Sequence, residues 1–251
     1  MTSRRTFIKG VVATSAVATI LPLSSSAVNF AAYAQPKKIR LKDDAVILFQ
    51  GDSITDGGRV RENVDYNNLA GLGNGYVSLI AARLLSTNPM RNLKIFNRGI
   101  SGNKVFQLAE RWEKDCLAIK PDILSVMIGV NDFWHTLTNG YTGTVKTYRD
   151  DYIKLLSRTK DSFPDLQLII MEPYGLKGVK AVDEKWYPNF LDYQQASQAI
   201  ADHFDAPFLP LQSIFDRAVQ SVQPAFWTRD GVHPTIAGSE IISSAWLSTL
   251  K

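Results

Sequence analysis

Ser53 is the residue of this sequence best placed to act as a nucleophile. It stands in Gly51-Asp52-Ser53, directly after the apolar run Ala45–Gln50, which is typical of a buried strand. A serine on a tight turn after such a strand can expose its hydroxyl, and a helix that starts there directs backbone N–H groups at a developing negative charge. Serine is also common in turns and at helix N-caps, so this tripeptide alone leaves a purely structural role open.

A second group of chemically useful residues lies near the C-terminus, in Asp230-Gly231-Val232-His233-Pro234. His233 can act as a general base, and a carboxylate three residues earlier can fix its tautomer and balance its charge. The same spacing could bind a metal or cap a turn. It therefore indicates catalysis only in combination with a nucleophile.

Two further segments can supply hydrogen-bond donors to an oxyanion. Asn131 follows Gly129-Val130 after an apolar strand candidate, and its side-chain amide is a donor of the kind that oxyanion sites use. Gly99 and Gly102 lie in the segment 97–103, where a glycine leaves its own N–H unobstructed. By itself, the glycine segment would be interpreted as a loop.

Apolar, β-branched runs alternate with helical patterns along the chain. This alternation predicts a parallel sheet covered by helices on both faces, and in such sheets the site forms at the carboxyl ends of the strands. The first, second and third strand candidates are each followed by one of the segments described above. The strand candidates are Ala45–Gln50, Lys94–Asn97, Ile123–Ile128, Gln167–Met171 and Pro207–Leu209, and the helix candidates are Tyr76–Leu85, Val105–Ile119, Val145–Ser162, Phe190–His203 and Thr235–Leu250.

The order and setting of the four segments resemble the SGNH (GDSL-type) hydrolase family. The motifs are Gly-Asp-Ser in the first segment, a glycine in the second, Gly-x-Asn-Asp in the third and Asp-x-x-His near the end. The resemblance covers nearly all of residues 35–251. It implies an α/β fold, a three-layer α/β/α sandwich with a central, mostly parallel five-stranded sheet (flavodoxin-like), and an esterase that needs no metal and no cofactor.

The roles of the family carry over position by position. The resemblance implies that Ser53 is the nucleophile, His233 the base and Asp230 the residue that orients the histidine. It also implies an oxyanion hole formed by the backbone N–H groups of Ser53 and Gly102 and by the side-chain amide of Asn131. Gly99 is the alternative glycine donor, although the turn itself can require a glycine there.

Longer stretches are similar to the bacterial acetylxylan-esterase branch of that family. They are Gly-Asp-Ser-Ile-Thr-Asp-x-Gly-Arg (51–59), Leu-Gly-Asn-Gly-Tyr-Val (72–77), Asn-Arg-Gly-Ile-Ser-Gly-Asn (97–103) and Ile-Gly-Val-Asn-Asp-Phe-Trp (128–134). Members of that branch remove acetyl groups from xylan or xylo-oligosaccharides, so the resemblance implies an acetyl ester of a carbohydrate as substrate. Homo-oligomers occur in the branch, although nothing in this sequence marks an interface.

Five residues are candidates for contacting the substrate. Trp134 follows the Asn-Asp pair and Trp227 precedes Asp230, and sugar rings stack on aromatic faces. Large aromatic residues are more often packed in a core, which is the alternative for both. Arg59, Tyr76 and Asp52 complete the set, with structural support as the alternative for Asp52. The long loop 173–188 is expected to form a rim over the site.

The first 34 residues are predicted to be a signal peptide, which leaves residues 35–251 as the catalytic domain. Arg4-Arg5 and Lys9 precede a short apolar run, and Ala32-Tyr33-Ala34 gives a small-x-small end.

The arginine pair resembles a twin-arginine (Tat) signal, with an ordinary Sec signal as the alternative. We therefore expect the Tat machinery as an export partner and a periplasmic or secreted protein. The apolar run is far shorter than the ~20 residues that span a bilayer, so no stable membrane anchor is expected.

Composition argues against several classes of protein. The net charge is +4, but three uncompensated positive charges lie in the first 34 residues, so the remainder carries only +1 and no nucleic-acid partner is expected. Cys116 is the single cysteine, which excludes a disulfide within the chain and a zinc site built from cysteines.

Three other functions stay open at the sequence level. An SGNH lipase, lysophospholipase or thioesterase would use the same residues beside a long apolar groove. An O-acetyltransferase would deliver the acyl group to a sugar instead of water. A non-catalytic carbohydrate-binding protein would need none of Ser53, Asn131, Asp230 and His233, all of which are present.

Overall fold

The structure, a computed structural model, describes residues 37–251. The predicted signal peptide, residues 1–34, lies outside the described residues and stays a prediction. Within the described chain, a five-stranded sheet forms the centre of the molecule, with the strand order β2-β1-β3-β4-β5. The strands are β1 (Val46–Gly51), β2 (Lys94–Asn97), β3 (Ile123–Met127), β4 (Gln167–Met171) and β5 (Phe208–Leu209).

All four strand pairings are parallel, so the predicted α/β sandwich is confirmed. Strand β1 lies at the point where the order reverses, because β2 is its neighbour on one side and β3 on the other. A crevice forms at such a point beyond the carboxyl ends of the strands. The fold therefore places whatever follows β1 and β3 at the natural position for a site.

The strands are apolar because both faces of the sheet are covered. All five residues of β3 are buried, and so are five of the six residues of β1. Two polar side chains are buried in these strands. Ser125 Oγ accepts a hydrogen bond from the Trp246 indole at 3.0 Å, and Gln50 Nε2 donates to the Asp115 carbonyl at 2.7 Å. A parallel sheet buried on both faces gives continuous apolar runs rather than an alternating pattern, which is why these strands were predictable.

Helices cover both faces of the sheet. The C-terminal helix packs beside the helix that starts at Tyr76, and the Trp246 ring lies 5.2 Å from the Phe49 ring of β1. Three other long helices form the second layer. The helices are α1 (Ser53–Asp56), α2 (Leu69–Leu72), α3 (Tyr76–Thr87), α4 (Val105–Asp115), α5 (Val130–Thr138), α6 (Val145–Ser162), α7 (Phe190–His203), α8 (Leu211–Ala218), α9 (Pro224–Trp227) and α10 (Ile236–Leu247).

Two features differ from the sequence-based expectation. The predicted helix Val105–Ile119 ends at Asp115, and a short 3₁₀ turn, Leu117–Ile119, follows it. Lys120 then adopts a left-handed conformation with φ 54° before Pro121, and a proline disfavours helix in the residue before it. The second difference is that α5 and α8, and the short helices α1, α2 and α9, are absent from the predicted helices. In α5, the polar first turn hides the helical period.

None of the helices within residues 37–251 is long and apolar enough to cross a membrane.

Candidate active site

Ser53 lies where β1 turns into α1, at the carboxyl edge of the sheet. The turn requires a glycine at position 51, because a Cβ there would lie 2.3 Å from the Met127 carbonyl oxygen and 2.4 Å from Thr55 Oγ1. Asp52 is the N-cap of α1, and its Oδ1 accepts a hydrogen bond from the Ile54 N–H at 3.0 Å. The turn thus holds Ser53 half-buried at the start of a helix, with its hydroxyl directed toward the C-terminal loop.

The structure brings Ser53, His233 and Asp230 into one hydrogen-bonded chain. Ser53 Oγ lies 2.8 Å from His233 Nε2, and His233 Nδ1 lies 2.6 Å from Asp230 Oδ2. When the proton of the neutral ring is on Nδ1, that nitrogen donates to the carboxylate and Nε2 is free to accept from the serine. This is the arrangement in which an imidazole can remove the hydroxyl proton.

Asp230 is held as a carboxylate. Burial would raise its pKa, but hydrogen bonds from the His233 ring and from the backbone N–H groups of His233 and Val232 lower the pKa of Asp230 to about 2. The loop that carries it is itself fixed from below, since the Ala181 N–H donates to the Asp230 carbonyl at 2.8 Å. A permanently ionised partner stabilises the imidazolium that forms when His233 takes a proton.

The two candidate glycines have different surroundings. The Gly99 N–H already donates to Asn97 Oδ1 at 2.9 Å, and a Cβ at Gly99 would lie 2.4 Å from the Asp56 nitrogen. Gly102 has φ 83°, open space where a Cβ would lie, and no acceptor for its N–H in the described part of the chain. Gly99 therefore serves close packing, and Gly102 is the glycine whose N–H is available to a ligand.

Asn131 lies in the first turn of α5 and closes the site from the side of β3. Its Nδ2 donates to the Asn103 carbonyl at 3.2 Å, which joins the third segment to the loop of Gly102. The neighbouring Asp132 reaches the same loop, because the Val105 N–H donates to its Oδ1 at 3.2 Å. One of the two amide hydrogens of Asn131 is used in this contact and the other is available.

Asp52 and Tyr76 lie beneath the site and are not accessible to a substrate. Asp52 is 1% exposed, its Oδ2 is enclosed without a hydrogen-bond partner among residues 37–251, and burial raises its pKa to about 7. Tyr76 is 0% exposed, with its hydroxyl 2.9 Å from Thr55 Oγ1. The geometry assigns both to support of the nucleophile turn, a correction to the expectation that they contact the substrate.

The two candidate tryptophans also differ. Trp134 is half-buried and its ring centroid lies 6.4 Å from that of His233, so it borders the site. Trp227 is 9% exposed, and its indole N–H donates to the Val222 carbonyl. It packs on Phe226 at 4.8 Å and is not part of the cleft wall.

The loop 173–188 supports the site from behind instead of forming a rim above it. Trp186 is buried between Phe133 and Phe190, with ring centroids 5.4 and 5.1 Å away. The Leu176 N–H donates to the Gly231 carbonyl at 2.8 Å. The loop thus anchors the segment that carries His233.

A cleft of about 870 Å³ opens beside Ser53 and His233. Its walls include glycines, which keep the approach to the serine open, and charged side chains that the sequence did not single out. The lining residues are Ser53, Ile54, Asp56, Gly57, Gly58, Arg59, Arg61, Asn74, Gly75, Ser101, Arg229, His233, Pro234, Thr235, Ile236 and Ser239.

No group of three or more His, Cys, Asp or Glu side chains within the described residues is arranged to hold a metal ion.

Two other reactive residue types lie outside the proposed chemistry. His135 Nδ1 lies 3.2 Å from Lys104 Nζ, and burial lowers the pKa of His135. Cys116 is a free, buried thiol whose pKa burial raises, so it is poorly placed to react.

Residues 49–241 match the family model of the GDSL-like lipases/acylhydrolases, a range that includes Ser53, Asn131, Asp230 and His233. The chain belongs to this family. As a GDSL-family hydrolase it is a carboxylic ester hydrolase.

Sequence and structure relatives of this GDSL-family hydrolase agree with that assignment. An acetylxylan esterase from Geobacillus stearothermophilus is 34% identical over 203 residues, which are 80% of this chain and 91% of that protein. A crystal structure from Parabacteroides merdae, assigned as a GDSL-like lipase, is 48% identical with a TM-score of 0.83, and the match covers 84% of this chain and 98% of that one.

Crystal structures of the Geobacillus acetylxylan esterase are also similar. One is a catalytic mutant in which an aspartate is replaced by alanine. It is 30% identical to this hydrolase with a TM-score of 0.76, and the match covers 84% of this chain and 96% of that one. Another is a catalytic mutant in which a serine is replaced by alanine.

Sequence reasoning missed two kinds of residue in this hydrolase. Asp56 accepts hydrogen bonds from the backbone N–H groups of Gly58, Arg59 and Ser101, so it holds the loop of Gly102 beside α1. Arg111, in α4, donates hydrogen bonds from its guanidinium to the Arg98 carbonyl and to Asn103 Oδ1. A motif search finds neither, because only the folded chain brings Ser101 near Asp56, and Arg98 and Asn103 near Arg111.

Proposed function

We propose that this GDSL-family hydrolase is an exported serine esterase that removes O-acetyl groups from carbohydrates, with acetylated xylan or xylo-oligosaccharides as the preferred class. The observation that carries the mechanism is the continuous hydrogen-bonded chain Ser53–His233–Asp230. The acetylxylan esterase among its relatives supports the substrate class, and that enzyme's catalytic mutants replace the two residue types that flank His233 here.

The first half of the proposed reaction forms an acyl-enzyme. His233 takes the proton of Ser53, and Ser53 Oγ attacks the carbonyl carbon of the acetyl ester. As the tetrahedral intermediate collapses, the bond between the carbonyl carbon and the sugar oxygen breaks. His233 gives its proton to that oxygen, so the sugar leaves as an alcohol and an acetyl group remains on Ser53. Asp230, ionised because its pKa is low, balances the charge of the imidazolium in both steps.

The second half returns the enzyme to its starting state. Water enters the cleft, His233 takes its proton, and the hydroxide attacks the acetyl carbonyl. The acetyl–serine bond then breaks, Ser53 regains its proton, and acetate leaves. The cleft beside Ser53 is open enough to admit both the water and the sugar.

Three donors are available to the oxyanion in both halves. They are the backbone N–H groups of Ser53 and Gly102, neither of which has an acceptor among the described residues, and the free amide hydrogen of Asn131. Donors already in place cost no reorganisation when the negative charge develops.

A long-chain lipase is a weaker candidate for this site. The cleft wall is formed largely by glycine, arginine and other polar residues, and this is unlike the apolar groove that a long acyl chain needs. Comparing hydrolysis of acetyl and octanoyl p-nitrophenyl esters separates the two functions, since the acetylesterase should prefer the acetyl ester.

Acetate release from acetylated xylo-oligosaccharides tests the proposed function. The purified protein should release acetate, and Ser53→Ala should lower kcat at least about 10³-fold, as loss of a nucleophile does in other serine hydrolases. Trp227→Phe is the matched control, because Trp227 lies near the site but outside the cleft. Activity that persists in Ser53→Ala would overturn the mechanism.

Two other outcomes would change the proposed substrate or reaction. Cleavage of p-nitrophenyl acetate without acetate release from xylan would indicate that the substrate is another acetylated glycan. Formation of sugar acetates from added sugar acceptors would indicate a transferase.

Export through the Tat pathway is part of the proposal and rests on residues 1–34 alone. Full-length protein produced in a bacterium with a functional Tat system should be processed and leave the cytoplasm, and replacing Arg4 and Arg5 by lysine should retain the precursor. Equal export of the two forms would argue for a Sec signal.

A further inference from the structure

Three arginines line the cleft. Arg59, Arg61 and Arg229 all line the cavity that contains Ser53 and His233. Two of them follow the nucleophile turn, and the third directly precedes Asp230 in the loop of the histidine. Two separate segments of the chain therefore supply positive charge to the same space.

Arg229 is an exposed cation that the protein leaves free. Its backbone N–H donates to the His233 carbonyl at 2.8 Å, which fixes the start of its side chain beside the reacting groups. Its guanidinium has no hydrogen bond or ion pair among residues 37–251. The side chain is thus available to a ligand.

Arg59 is nearly enclosed and incompletely paired. It is 8% exposed, its Nε donates to the Gly99 carbonyl at 2.8 Å, and its Nη1 has no acceptor in the described structure. Burial lowers its pKa to about 10, so it remains a cation at neutral pH. An unpaired, enclosed N–H is costly in free energy, and an acceptor brought into the cleft would reduce that cost.

A single carboxylate among the lining residues faces these three cations. Asp56 Oδ2 accepts a hydrogen bond from Arg61 Nη2 at 3.0 Å, but the same carboxylate also accepts three backbone N–H groups. Asp230, which follows Arg229 in the sequence, is paired with His233, and Glu62, which follows Arg61, is exposed and does not line the cleft. The cleft therefore keeps an excess of positive charge, which favours an anionic ligand.

We propose that the sugar ester this hydrolase deacetylates carries a carboxylate, as in an oligosaccharide with a uronic acid unit near the acetylated sugar. This rests on the proposed esterase function. A guanidinium presents a planar fork of N–H donors that matches a carboxylate. Arg229, whose guanidinium is free, contacts the uronate. Arg61, which also pairs with Asp56, adds positive charge to the same cleft, while the acetyl group lies at Ser53.

A matched pair of substrates tests the role of charge. An acetylated uronic-acid oligosaccharide is compared with the same compound after reduction of its carboxyl group to an alcohol. The measured quantity is kcat/KM for the acidic substrate divided by kcat/KM for the reduced substrate. This ratio should exceed about ten in the parent protein. It should fall toward one in Arg229→Gln, and fall further in Arg61→Gln/Arg229→Gln. Arg40→Gln is the control, because Arg40 is exposed beside the amino end of β4, far from the carboxyl edge, and it should keep the parent ratio.

Two acidic substrates distinguish the source of the carboxylate. Acetylated glucuronoxylan fragments carry the acid on a branch, whereas acetylated galacturonan fragments carry it in the backbone. A high ratio for either one supports the proposal and names the source. A ratio near one for both overturns it, while Ser53-dependent hydrolysis of the neutral ester would leave the proposed function intact.

A binding measurement decides the question without catalysis. In Ser53→Ala, calorimetry should show the deacetylated acidic oligosaccharide binding at least about tenfold more tightly than its carboxyl-reduced form. The difference should shrink with added NaCl and disappear in Ser53→Ala/Arg229→Gln. Equal affinities for the two forms overturn the proposal even if no ester is found to be hydrolysed.

Discussion

At the scale of single residues, the site is a set of polar groups whose partners are almost all other parts of the protein. Asp230 accepts three hydrogen bonds, and Asn131 is tied to the Asn103 carbonyl. The three donors that the proposed chemistry needs have no partner in the described residues: the N–H of Ser53, the N–H of Gly102 and one hydrogen of the Asn131 amide. They are therefore open to a ligand, although some supporting groups, such as Asp52 Oδ2, also lack a partner there.

Asp230→Asn tests whether the negative charge of Asp230, and not only its size, is needed for activity. The amide keeps the size of the carboxylate, but it cannot hold His233 in the required tautomer or stabilise the imidazolium. We expect kcat for p-nitrophenyl acetate to fall about 10⁴-fold, the effect of the same change in serine proteases. An unchanged melting temperature would show that the fold is intact, and a loss below about tenfold would contradict the orienting role.

Asn131→Ala should remove a donor that acts on the transition state. Loss of one oxyanion donor lowers kcat about 10²- to 10³-fold, and KM for p-nitrophenyl acetate should change little. Steady-state kinetics measure both. The substitution also removes the 3.2 Å hydrogen bond to Asn103, so the melting temperature must be compared. A rise in KM at constant kcat would assign Asn131 to ground-state binding instead.

At the scale of elements, the site depends on contacts between the loops after β1, β2 and β3. Asp56 at the end of α1 holds Ser101, and Asp132 in α5 holds Val105. Arg111 of α4 adds a third connection, since its guanidinium donates to the Arg98 carbonyl at 2.7 Å and to Asn103 Oδ1 at 2.9 Å. These connections keep the proposed oxyanion donors at fixed positions relative to Ser53.

Gly99→Ala and Gly102→Ala form a matched pair that tests the two glycines. A Cβ at Gly99 would overlap the Asp56 nitrogen at 2.4 Å, and such overpacking costs about 1–3 kcal/mol of stability. A Cβ at Gly102 meets open space, so only its φ of 83° is unfavourable, at about 1 kcal/mol. Denaturant unfolding of both variants measures the difference, and a larger loss in Gly102→Ala would contradict this assignment.

Arg111→Gln should loosen the loops and destabilise the fold. Its guanidinium is partly buried, and the Asp115 carboxylate 3.0 Å away would lose its partner. Breaking such a pair costs about 2–4 kcal/mol, and kcat should also fall because the Asn103 loop is no longer held. Arg111→Gln/Asp115→Asn should recover part of the stability but not the activity. Full recovery of kcat in the double variant would count against a positioning role.

At the scale of the whole molecule, a sheet buried on both faces carries every loop of the site on one edge. The same burial encloses acidic groups. Burial raises the pKa of Asp52, Asp132 and Glu172 to about 7 in each case, and the charge of Asp52 also raises that of Asp132. The stability of the folded chain is therefore linked to pH through groups beneath the site.

Unfolding free energy should decrease between about pH 4 and pH 8. A buried carboxyl with a raised pKa stays protonated in the folded state, whereas in the unfolded chain it ionises near 3.8. The folded state thus binds more protons in this range, so the stabilisation is complete below about pH 4 and is lost as pH rises through 7. Urea unfolding at pH 4.5 and 8 should differ by more than about 1 kcal/mol. Asp132→Asn, which cannot ionise, should reduce the difference, and an unchanged slope would contradict the assignment of Asp132.

The sequence by itself determined the class of fold and the positions of the reacting groups. Apolar, β-branched runs predicted all five strands to within one residue at each end, because strands buried on both faces admit few polar residues. The resemblance of the Gly-Asp-Ser and Asp-x-x-His motifs to the family predicted that Ser53, His233 and Asp230 act together. The three-residue spacing is local and accounts for the His233–Asp230 contact, whereas Ser53 and His233 are 180 residues apart and meet only in the fold.

Only the tertiary structure decided which neighbours share the cleft. Tyr76 and Asp52 are buried beneath the turn, and Trp227 packs away from the cleft, whereas Arg61 and Arg229 line it. The polar first turn of α5 hides its helical period, so the place of this helix in the site also came only from the tertiary structure. Long-range contacts determine whether a side chain is exposed or buried. Residue type and spacing therefore identify chemically useful groups, but they do not show which of these groups line the cleft.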